Sequence, residues 1–103
     1  MNKIALIIAG LAVSTFSTAA LADAALAKKS GCMNCHAIGA TVVGPAFKDI
    51  AAKYKGKADA PAALVAKLQN GGSGVWGTMP MPPQKGKLSE ADSKILVDWV
   101  LAQ

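Results

Sequence analysis

Arginine is missing from this 103-residue chain, histidine occurs once, cysteine twice, and aromatic residues make up only 5% of it. Each scarcity removes a class of function. Without arginine, and with so few rings to stack on bases, the chain lacks the usual equipment of a nucleic-acid-binding protein. Two cysteines and one histidine fall short of the four ligands of a structural zinc site, and no carboxylate cluster lies near them to complete one. No segment alternates apolar and polar residues as a strand would, so the βαβ setting of a thioredoxin-like dithiol is absent too. The apolar run Ile4–Val13 is too short to span a bilayer. An all-α domain is what these exclusions leave.

That apolar run reads as an address label. Asn2-Lys3 forms a short basic start, Ser14–Ala19 is small and polar, and Ala20-Leu21-Ala22 supplies a small-x-small cleavage pattern. Residues 1–22 are therefore expected to be a cleaved Sec signal peptide, the alternative being a retained anchor helix, and residues 23–103 a single domain in the periplasm. At roughly 80 residues such a domain sits near the lower limit for folding on its own and needs a staple.

The chemistry is concentrated in Cys32-Met33-Asn34-Cys35-His36. Two thiols two residues apart on one helical turn can each add to one vinyl group of a single porphyrin. The histidine that follows is carried under the iron, where a neutral imidazole nitrogen serves as an axial ligand. A Cys-x-x-Cys-His run is thus the attachment site of one covalently bound haem c. Export agrees with this reading, because an exported cysteine pair would otherwise be oxidised to a disulfide. The porphyrin's own apolar surface would be the staple.

Four helices are predicted around it. Asp23 is placed to cap the first, through Ala24, Leu26 and Lys29 to Gly31. Pro45 precedes a second, with Phe47, Ile50, Ala51 and Tyr54 at helical spacing up to Gly56. Pro61 opens a third, with Leu64, Val65 and Leu68 on one face and Gly71 as its stop. Ser89-Glu90-Ala91-Asp92 looks like a capping box for the last, whose stripe is Ile95, Leu96, Trp99 and Val100.

Between the last two helices, Gly71–Pro83 is too rich in glycine and proline for regular structure and long for so small a domain. With no second histidine in the chain, a methionine thioether is the usual second ligand for such an iron. Met79 and Met81 both qualify. Met81, bracketed by Pro80 and Pro82-Pro83, has the stiffer backbone. Met33 is too close to His36 to reach the other face, and Met1 belongs to the leader.

Taken with Val43-Gly44-Pro45-Ala46, Lys48-Asp49-Ile50-Ala51, Gly74-Val75-Trp76-Gly77 and Pro80-Met81-Pro82-Pro83, the attachment motif makes residues 23–103 resemble the small bacterial class I cytochromes c of the c-551/c-552 type. The resemblance implies the class I cytochrome c fold, with about four short helices wrapped around the haem. It implies Met81 as the distal ligand and Pro45 as the carbonyl acceptor that orients His36. It makes Trp76 the indole donor to a haem propionate and Trp99 a core residue. Two departures stand out. Lys67 occupies the place of an arginine near a propionate, leaving a point charge where relatives have a planar fork. Gln84 stands where relatives place an asparagine that hydrogen-bonds the ligand sulfur.

A His36/Met81 iron has no open position, so the expected role is one-electron transfer in a bacterial respiratory chain, and not catalysis as a peroxidase-like or gas-binding protein would require. The single motif argues against a subunit of a multihaem complex. Implied partners are periplasmic redox proteins such as a nitrite reductase, an oxidase or a cytochrome c peroxidase. Eleven lysines against six acidic residues would steer the chain toward an acidic site on them, or simply solvate helix faces such as that of Lys53, Lys55 and Lys57.

Overall fold

The computed structural model describes residues 9–13 and 18–103. The basic start at Asn2-Lys3, the first half of the apolar leader run and Ser14–Ser17 lie outside these residues. Among the described residues there are four α-helices in chain order: α1, Thr18–Lys29; α2, Phe47–Tyr54; α3, Ala60–Asn70; and α4, Glu90–Leu101. A short 3₁₀ turn, Cys32–Asn34, follows α1. No helix in this part of the chain is long and apolar enough to cross a membrane.

The first helix begins earlier than the sequence suggests. Thr18-Ala19-Ala20-Leu21-Ala22 has high helix propensity and runs straight into the following segment, so Asp23 lies inside α1 and caps nothing while those residues remain attached. The other boundaries follow the expected chemistry. Pro61 sits in the first turn of α3, where its missing N–H costs nothing, and Gly71 ends that helix by donating its N–H to the Lys67 carbonyl at 2.7 Å. Ser89 caps α4, its hydroxyl accepting the Asp92 N–H at 3.0 Å. Helix α2 has no side-chain cap. Its first free N–H groups, those of Phe47 and Lys48, donate to the carbonyls of Ala37 and Ile38 at 2.9 and 3.0 Å. The segment after the cysteine motif is thereby sewn to the start of α2.

Helix α4 packs against the other three, and the core forms where they meet. Ala27, Phe47, Leu88, Leu96 and Trp99 are buried together, with Leu26, Ile50, Leu68 and Val100 partly buried around them. Each large side chain removed from water here contributes about 1.5–3 kcal/mol. Phe47 is the hinge of the cluster: Trp99 meets it edge-on at 5.4 Å, and the His36 ring stacks on it at 5.0 Å. The buried arc of α4 differs from the predicted stripe. Ile95 is 42% exposed, whereas Val97 and the fully covered Ser93 face inward. The stripe is rotated because Ser93 has a polar partner inside, described below.

Candidate functional site

A cavity of about 310 Å³ opens between the 3₁₀ turn, α3, α4 and the glycine-proline loop. Cys32, Cys35, His36, Pro45, Lys67, Trp76, Met79 and Met81 all line it; Gln84 does not. Both cysteines are half-buried and unpaired with each other. Burial raises the Cys32 thiol pKa, partly offset by a backbone hydrogen bond that favours the thiolate.

The histidine side is built by the backbone. The 3₁₀ turn brings the His36 N–H to the Cys32 carbonyl at 2.9 Å, and the Gly44 N–H donates to the Cys35 carbonyl at 2.8 Å. His36 and Thr41 form an isolated antiparallel bridge. The folded-back segment delivers the Pro45 carbonyl to His36 Nδ1 at 2.7 Å. A carbonyl can only accept, so Nδ1 carries the proton and Nε2 keeps its lone pair for a metal. Gly44 lies flat against the ring: a Cβ there would sit 2.7 Å from Cε1 and 3.0 Å from Nδ1. No side chain can be added without moving the imidazole.

The methionine side is a strap tied at several points. Gly72 and Met81 form the second isolated bridge, so residues 73–80 hang as a loop between fixed ends. Gly71 has φ +67°, and a Cβ on it would sit 2.8 Å from the Pro83 nitrogen. Beyond Met81, the N–H groups of Gln84 and Lys85 donate to the Leu68 and Gln69 carbonyls, both at 3.0 Å. These are the unpaired last carbonyls of α3, satisfied by the strap and not by water. Met79, within the hanging loop, is 67% exposed, while Met81 is half-buried.

The remaining expected residues fall as follows. Trp76 is 45% exposed, with Lys53 Nζ 5.6 Å from its ring centre, a cation–π contact from α2. The Lys67 ammonium lies beside Gly72, close enough that a Cβ there would be 2.8 Å from Nζ. Gln84 turns its amide back on the strap, Nε2 donating to the Pro82 carbonyl at 3.1 Å. The sequence names Gly44 and Lys53 without these contacts: the space requirement of Gly44 exists only in the folded segment, and no local pattern gives Lys53 a ring partner.

Two thiols and an imidazole with one nitrogen engaged, all on one apolar cavity, are the donor set of a covalently held porphyrin. The likenesses to known proteins agree. Residues 22–103 match the cytochrome c family. The cytochrome c-552 of Hydrogenobacter thermophilus is 47% identical, over 99% of this chain and 98% of the relative. The cytochrome c-551 of Allochromatium vinosum is 54% identical, over 84% of this chain and 92% of the relative. The crystal structure of wild-type Nitrosomonas europaea cytochrome c552 superposes with a TM-score of 0.72 at 55% identity, over 76% of this chain and 95% of that one.

The chain therefore belongs to the cytochrome c family, and its fold is the all-α cytochrome c fold. Within that family it is of the small class I c-551/c-552 type, carrying one haem c through Cys32, Cys35 and His36. Such a protein is an electron carrier and not an enzyme.

Proposed function

We propose that this cytochrome is a periplasmic one-electron carrier whose iron is held between His36 and Met81. The observation that carries the ligand assignment is the Gly72–Met81 backbone pair: it pins Met81 at the cavity wall, whereas Met79 rides on the loop that the pair closes. When bound, the haem supplies an Fe(III)/Fe(II) couple with no vacant coordination position.

The residues around it set how readily that couple turns over. The Pro45 carbonyl holds the imidazole in one tautomer and one orientation and raises the basicity of Nε2. The Met81 thioether is a soft donor that favours the ferrous ion and so raises the potential relative to two imidazoles. Trp76 would donate its indole N–H to a propionate, and Lys67 would place a positive charge near one. Gln84 acts one residue beyond the ligand, by holding the Pro82 carbonyl. Cleavage after Ala22 and export of residues 23–103 put the protein among periplasmic redox partners. A nitrite reductase, an oxidase or a cytochrome c peroxidase would meet it through a small, short-lived interface with charge steering.

The test is Met81→Ala in the holoprotein. The long-wavelength sulfur-to-ferric-iron band disappears, the potential drops, and ferrous carbon monoxide binding becomes rapid. An unchanged band would reassign the ligand to Met79.

A further inference from the structure

We propose that Gln69 is a positioning residue for the Met81 sulfur, a latch that locks the ligand strap between α3 and α4; the inference rests on Met81 being the distal ligand. Gln69 is the last but one residue of α3, and it holds the strap at two levels. Its main-chain carbonyl accepts the Lys85 N–H at 3.0 Å, beside the Gln84-to-Leu68 bond. Its side chain reaches the other end of the strap, where Nε2 donates to the Leu88 carbonyl at 3.1 Å and to the Ser93 hydroxyl.

The polarity of this network is fixed. The Leu88 carbonyl can only accept, so the amide must present its nitrogen there. Ser93 Oγ donates to the Ser89 carbonyl at 2.9 Å, and therefore has a lone pair free for the second Nε2 hydrogen. Ser93 is 0% exposed, so water cannot replace the amide without opening the helix contact. The strap itself is short and internally closed: Lys87 and Leu88 both donate to the Gln84 carbonyl at 3.0 Å. A movement at Leu88 is thereby passed to Gln84, and from there toward Pro82 and Met81.

The consequence is kinetic. Strap opening that frees the sulfur breaks the Leu68 and Gln69 main-chain bonds, and also parts the half-buried Gln69 amide from the Leu88 carbonyl and from the buried Ser93 hydroxyl, which keeps only its bond to the Ser89 carbonyl. A buried polar group left without its partner carries a heavy penalty, so the latch makes release of the ligand rare. Gln69 never touches the iron ligands; it acts through the strap.

The experiment uses holoprotein carrying Gln69→Leu, with Ser93→Ala as the milder variant that folds if the first does not. Ala25→Gly, at an exposed position in α1, serves as the control for general destabilisation. The readouts are the rate at which carbon monoxide displaces the sulfur from ferrous protein and the alkaline midpoint at which the ferric sulfur band is lost. At a denaturation midpoint matched to the control, Gln69→Leu or Ser93→Ala displaces about tenfold faster, with the alkaline midpoint lowered by about one pH unit. Displacement no faster than in Ala25→Gly would overturn the latch while leaving Met81 as ligand. Persistence of the sulfur band in Met81→Ala would instead overturn the ligand assignment itself.

Discussion

Gly72 and Met81 exchange both backbone hydrogen bonds, at 3.0 and 2.8 Å, although they belong to a segment with almost no regular structure. The pairing requires the chain to turn sharply as it leaves α3, and Gly71 makes that turn at φ +67° and ψ −161°. Only glycine occupies this region without strain.

Gly71→Ala is therefore expected to cost about 2 kcal/mol or more, from the backbone strain and from a Cβ driven against the Pro83 nitrogen. A denaturant titration of the holoprotein measures the loss. The ferric sulfur band should weaken in parallel, because the pair that holds Met81 is displaced; an intact band at lowered stability would separate the turn from the ligand.

Gly44→Ala tests the other side. The imidazole cannot retreat from a new Cβ, since Pro45 holds it by Nδ1 at 2.7 Å and Phe47 stacks on it at 5.0 Å. We expect a loss of about 1–3 kcal/mol, the usual range for forcing atoms into a packed site. The reduction potential should rise, because an imidazole without its carbonyl partner is a poorer donor to ferric iron. An unchanged potential would mean that the ring adjusts without losing Pro45.

Removing the haem by Cys32→Ala with Cys35→Ala should leave the chain largely unfolded. The cavity sits at the heart of a domain of about 80 residues, and its apolar walls include Ile50, Leu64, Leu68 and Val100, which the rest of the chain leaves only partly buried. Far-ultraviolet circular dichroism should lose most of its helical signal. A native-like spectrum would show that the helices pack without the ring.

Lys53, Lys55 and Lys57 are exposed along one end of α2 and the turn after it. Replacing all three with glutamine should slow electron transfer to an acidic partner by roughly tenfold at low salt and flatten the salt dependence. Stopped-flow rates across a salt series decide it. A wild-type slope retained in the variant would assign these lysines to solubility alone.

What could be read from the chain follows from how each feature is written in it. The thioether cysteines and His36 are contiguous, so their chemistry is local and legible. The ends of α3 and α4 were legible because Pro61, Gly71 and Ser89 act on their own neighbourhoods. The choice between Met79 and Met81 was not decided by spacing, because what distinguishes them is a pairing with Gly72 that exists only after folding. The Gln69–Ser93 contact joins residues 24 apart and leaves no periodic trace; it also explains why the buried arc of α4 passes through a serine and leaves Ile95 at its edge. Asp23 stands inside α1 and not at its start because the alanine-rich residues before it extend the helix while they remain attached.

The stretch from Ser73 to Pro80 is a balcony anchored at both ends, with an inner rung from the Gly74 N–H to the Gly77 carbonyl at 2.7 Å. Its span can vary while its supports stay fixed, because doubling a flexible loop adds only about 0.6 kcal/mol of closure cost. Insertions there should be tolerated far better than a single added methyl at Gly71. In an evolving lineage, this is where length can drift and reshape the rim of the haem crevice while the Gly72–Met81 pair keeps its place.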